Sequence, residues 1–205
     1  MHRTIALVGL ALGFAAVVLQ LIVTLTTAET SLVVFVTSLA VIANILAGLV
    51  YAGVLFDTQA FAAFRNRGVQ GLAATAMVFA MMFFHLVAGE AAAGEGTALI
   101  ADWALNYIAP TLFVAYWMVY LTDGTLRLRN AAVWLVFPAL YIGWVLLIGS
   151  TTGIYASEVL DVAADGWSAV AINYLTFMAA FLMLSVFAVG FDTEKKPVSG
   201  HVAQH

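Results

Sequence analysis

The sequence predicts an all-α, polytopic membrane protein built as a six-helix transmembrane bundle, and three observations predict it. Of its 205 residues 64% are hydrophobic and only 9% are charged, whereas a soluble domain carries about a quarter charged residues. A domain of this size still exposes much of its surface, so that apolar excess must face lipid rather than water. The chain also divides into six apolar runs, each near the roughly 20 residues that cross a hydrocarbon core of about 30 Å. Finally, all 7 basic residues fall on one side of the resulting topology.

The runs follow in order. Helix one spans 4–27. Met1, His2 and Arg3 ahead of it resemble the start of a signal peptide, but the run is too long for an h-region and 24–31 holds no small-x-small cleavage pattern, so a retained helix is expected. Gly9-x-x-x-Gly13 within it permits close helix approach. Helix two covers 31–56 after the Ala28-Glu29-Thr30 break, and helix three covers 68–89 after the polar stretch from Asp57. Helices four, five and six cover 99–121, 130–150 and 167–190, separated by Gly- and Thr-rich breakers. The loops are too short for a soluble domain, so residues 1–191 are read as one bundle and 192–205 as a flexible cytoplasmic tail.

Arg3, Arg65, Arg67, Arg127, Arg129, Lys195 and Lys196 flank one face, while Glu29, Glu90, Glu95, Asp102, Glu158, Asp161 and Asp165 belong to the other. Cytoplasmic flanks are enriched in Lys and Arg, which predicts a multi-pass cell-membrane protein with both termini cytoplasmic. Tyr51, Tyr107, Tyr155, Trp103 and Trp167 fall near helix ends and are expected to anchor at the interface. The chain has no cysteine, which excludes a disulfide framework, a thiolate metal site and a cysteine nucleophile. No basic stripe with interleaved aromatics suggests nucleic acid as a partner.

Polar groups at membrane depth are costly unless partnered, so each marks helix packing or function. They are Gln20, Thr37, Ser38, Asn44, Thr75, His85, Asn106, Thr111, Tyr116, Tyr141, Asn173 and Thr176. Among them Asn44, His85, Asn106 and Tyr116 are the candidate lining of a ligand-binding polar cavity. His85, the single histidine inside a span, reads as an imidazole bonded to a neighbouring helix, as a base, or as the axial ligand of a tetrapyrrole. Pro110 should free the carbonyl of Asn106 and bend helix four, and Pro138 should act likewise near Tyr141. No G-x-S-x-G, H-E-x-x-H, P-loop or G-x-G-x-x-G motif is present.

Three stretches resemble the androgen-inducible six-transmembrane family. Phe35 to Leu46, FVTSLAVIANIL, is similar to its second helix, with an F-T-x-x-[ST]-N core ending at Asn44. Trp103 to Trp117, WALNYIAPTLFVAYW, is similar to its fourth-helix L-H-Y-x-x-P pattern followed by D-W. Trp134 to Tyr174 is similar to its W-L-x-x-P-x-x-Y, G-x-Y-P-Y-x-F-L-D and G-[YW] landmarks. The resemblance implies the six-helix fold and an intramembrane lipid hydrolase with a threonine nucleophile in helix two and a histidine base in helix four. Those positions read Ala40 and Asn106 here, Tyr116 replaces an aspartate, and Ala156 and Ser157 replace a proline and a tyrosine.

An alanine has no nucleophile and an amide no useful basicity. The expectation is therefore a non-catalytic accessory or interaction subunit of a membrane assembly, or a lipid- or pigment-binding module, with no catalytic residue and no metal. The alternative is a threonine-type lipid esterase using a relocated pair, Thr37 and His85. A transporter or channel is a third reading, although ionisable residues at depth are nearly absent.

Overall fold

The computed structural model describes residues 2–26, 32–88, 95–155 and 157–195. Glu29, Glu90, Ala156, Lys196 and most of the expected tail lie outside them. The described residues are helical, with no strand. Helix α1 is His2–Thr26; α2, Leu32–Thr37, and α3, Leu39–Leu55, share the second apolar run. Helix α4, Arg67–Phe83, continues as a π-turn through Phe84–Ala88. The fourth run is α5, Thr97–Trp103, then π-helical Ala104–Ile108, then α6, Ala109–Tyr116, then a second π-turn to Leu121. The fifth is α7, Leu128–Trp134, and α8, Val136–Thr152; the last is α9, Val162–Glu194.

Five of these stretches are long and apolar enough to cross a membrane, and α3 together with the short bent helix that follows it makes a sixth where that pair counts as one span. The chain is thus a multi-pass helical membrane protein. After Leu55 the chain turns by 113° into the short helix Gln59–Arg65, which packs against α3 and α4. A proline and a glycine explain two other interruptions. Pro138 sits in the first turn of α8, where a missing N–H costs little, and α7 ends one step earlier at Trp134. In α9 the backbone turns at Gly166, whose φ of 76° suits glycine alone at low cost, so the membrane span proper begins at Trp167.

Inside, small residues bring the helices together, as expected where lipid supplies no hydrophobic drive between them. Ala43, Ala73 and Ala76 are fully buried. A Cβ at Gly9 would overlap the Tyr51 ring, and Gly13 faces Asn44, so the Gly9/Gly13 face is the α1–α3 contact. Larger rings fill the middle: Phe79 packs edge-on against Phe177 and Phe181 at centroid distances of 4.4 and 5.3 Å. Outside, Phe187, Met183 and Phe14 are 76%, 72% and 69% exposed, the apolar jacket that a bilayer covers. Trp103 and Trp167 belong to that jacket. Tyr51 does not: it is 4% exposed against Phe113 and Tyr116, which corrects its expected anchoring role. The cause is the glycine opposite, which opens a slot for the ring.

Among the described residues Arg3, Arg65, Arg67 and Lys195 meet at one end. Arg3 donates to the Leu55 carbonyl, Arg65 to Phe56 and Thr58 carbonyls, and Lys195 to the Met118 carbonyl. Arg67 pairs with Asp123 at 2.7 Å and also donates to the Leu121 carbonyl and Gln70. Asp192 is 1% exposed, and its carboxylate accepts the Asp123 and Leu126 N–H groups at 3.0 and 2.9 Å. Helix α9 runs to Glu194, and the 122–127 connection uses the Asp192 carboxylate to satisfy its backbone. Partial burial opposes ionisation of Asp123, but hydrogen bonds from Thr125 and the Arg67 guanidinium outweigh it and hold the carboxyl below its ordinary range.

Candidate functional site

The site begins with the break in the second span. Ser38 takes extended backbone angles (φ −67°, ψ 122°) and caps α3, accepting the Val41 N–H on its hydroxyl at 3.4 Å. A break inside an apolar span strands backbone carbonyls that water cannot satisfy. Helix α8 supplies the donors: Trp144 Nε1 donates to the Val36 carbonyl and the Tyr141 hydroxyl to the Thr37 carbonyl, both at 3.1 Å.

The fourth span is irregular as well. Pro110 has no N–H, and the helix adjusts by widening: Ala109 N–H reaches back to the Ala104 carbonyl, a π-spacing. The Leu105 carbonyl thereby loses Ala109 as its donor and gains none from Pro110. Asn44 Nδ2 donates to it at 3.0 Å and to the Ala40 carbonyl at 2.8 Å. The carbonyl that recruits a side chain is therefore Leu105, not Asn106 as the proline spacing alone implied, because the π-turn shifts the gap by one residue.

Between these two irregular spans lies a cavity of about 220 Å³, bounded by α1, α2, α3, α4, the fourth span and α8. Its polar wall comprises Gln20, Ser38, Asp102, Asn106 and Tyr141; Ala40, Leu105 and Phe83 supply apolar surface. Asn106 is 3% exposed and donates from Nδ2 to the Asp102 carbonyl at 3.1 Å, which leaves its amide oxygen without a hydrogen-bond partner. Gln20 Oε1 is buried with none. Asp102 is already engaged in an interaction of its own. Phe83 also lines an apolar groove of about 200 Å³ between α4 and α9, whose polar members are Asn173 and Thr176.

Of the four residues expected to line a polar cavity, Asn106 lines this one. Asn44 stands behind its wall, bonded to Ala40 and Leu105. Tyr116 is buried among Tyr51 and Tyr120 with an unpartnered hydroxyl. His85 is on the exposed side, with Nδ1 at 3.2 Å from the Tyr107 hydroxyl. Thr37 is 1% exposed and donates to the Val33 carbonyl at 2.6 Å. No contact joins Thr37 to His85; each holds a different partner. Among the described residues no group of three His, Asp or Glu is arranged as a metal site.

In the sequence Gln20 and Ser38 are polar positions within spans that nothing ties to a site, and Asp102 falls with the loop acids. A signal existed for Asp102, since it lies one helical turn before Asn106 and so shares its face. The gathered features define a class: a multi-pass helical membrane protein with a polar cavity between two irregular spans. No protein-family model, curated protein or solved structure matches the chain.

Proposed function

We propose that this chain is a non-catalytic relative of the six-transmembrane lipid hydrolases, a cell-membrane protein with both termini in the cytoplasm that binds a membrane lipid and serves as an accessory subunit of a membrane assembly. The observation that carries this reading is the company Ala40 and Asn106 keep. The two positions where the resembled chemistry needs a nucleophile and a base line one cavity, and neither side chain can do either job. The pocket persists where the reactive groups do not. An apolar groove adjoins it across Phe83, which suits an amphiphile with its polar end in the cavity. The gathering of Arg3, Arg65, Arg67 and Lys195 at one end of the bundle supports that orientation.

The test is purification from native membranes followed by incubation with a fluorophosphonate probe and branched fatty-acid esters. Co-purifying lipid or protein without labelling or ester turnover is the expected result. Labelling that disappears on Thr37→Ala would instead establish the esterase alternative, and a protein that elutes with neither lipid nor partner would overturn the binding reading.

A further inference from the structure

We propose that the cavity selects a neutral, hydroxyl-bearing headgroup of the acylglycerol kind; this rests on the lipid-binding reading above and specifies its ligand. Gln20 Oε1 is buried in the cavity wall without a partner, and Asn106, which is 3% exposed, spends its Nδ2 on the Asp102 carbonyl while its amide oxygen accepts nothing. An amide oxygen can only accept, so each calls for a donor on the ligand. Asn106 cannot be turned to reverse this, because its Nδ2 is held by the Asp102 carbonyl. Two acceptors argue against an anionic headgroup, which would bring more acceptors and charge to face them.

The amino end of α3 opens on the same cavity at Ser38, Leu39 and Ala40, where its partial positive charge favours an oxygen acceptor, while Asp102 in the same wall favours a donor. Hydroxyls satisfy both walls, since each donates one hydrogen bond and accepts others. The 220 Å³ cavity is smaller than pockets that enclose whole drug-sized ligands, so it takes a headgroup while the acyl chain lies along the Phe83 groove. Ala40 leaves the space that a larger side chain would fill.

Full-length protein in phosphatidylcholine nanodiscs would be titrated with monooleoylglycerol, its 2,3-dimethyl ether, oleic acid and free glycerol. The expected result is that monooleoylglycerol binds at least about tenfold tighter than the dimethyl ether or oleic acid, and that Asn106→Leu and Gln20→Leu each erode that preference. Competition by free glycerol at similar concentration would support the hydroxyl chemistry and assign a soluble polyol as its source. Equal binding of the ether, or tighter binding of oleic acid, would overturn the headgroup inference while leaving lipid binding standing; no binding of any acyl probe would overturn both. The ether comparison on the wild-type protein needs no variant to fold.

Discussion

The two ends of the bundle treat polar groups in opposite ways. At the basic end Asp192, Asp123, Arg67 and Gln70 spend their hydrogen bonds on one another and on backbone, leaving a closed network. At the cavity end Tyr141, Trp144 and the Asn44 amide nitrogen satisfy backbone freed by Ser38 and Pro110, but the amide oxygens of Gln20, Asn44 and Asn106 accept nothing, and Gln20 and Asn106 line the open space. A saturated polar group holds structure together. An unsaturated one at a cavity is available to a ligand, and substitutions should separate the two kinds.

The largest effect is expected at Asp192. Its replacement by Ala strands two backbone N–H groups in a buried setting, a loss of about 3 kcal/mol, read as a lowered midpoint in thermal unfolding in detergent. Asn44→Leu should cost about 1–3 kcal/mol by stranding the Leu105 carbonyl. Tyr141→Phe removes a single bond to Thr37, worth about 1 kcal/mol. Asn106→Leu should change stability by no more than about 0.5 kcal/mol, since its lost bond serves only its own helix; a large loss there would place Asn106 with the structural group and erase the distinction.

The smallest expected effect concerns pH. Because the Asp123 carboxyl is held below its ordinary range, its contribution is present above the unfolded value of about 3.9 and is lost as pH falls through the lower folded value. The unfolding midpoint should be flat from neutral pH to about 5 on this account and decline below about 4. Asp123→Asn should lessen the decline.

Much of the architecture was legible in the sequence. Run length and charge sidedness give the spans and their common basic end, because lipid imposes both a helix length and an apolar surface. Gly9-x-x-x-Gly13 likewise announced its contact. What stayed hidden depended on where irregularity is tolerated. Nothing apolar or glycine-rich marks Ser38 as a break; it is stable because Trp144 and Tyr141, more than a hundred residues away, carry the freed carbonyls. Pro110 predicted a disturbance but not its π form, so the recruited carbonyl moved from Asn106 to Leu105. Tyr51 looked like an anchor because its position near a helix end carries no sign of the slot at Gly9.

The central claim is that the cavity between Ser38 and Asn106 holds a lipid without reacting with it. Its most direct measurement is mass spectrometry of the lipids that co-purify with the wild-type protein and with Ala40→Leu, whose larger side chain fills the cavity from a wall position. The account predicts an intact lipid bound to the wild type and depleted several-fold in a folded Ala40→Leu protein. Equal lipid content in the two, or recovery of hydrolysed products from the wild type alone, would contradict it.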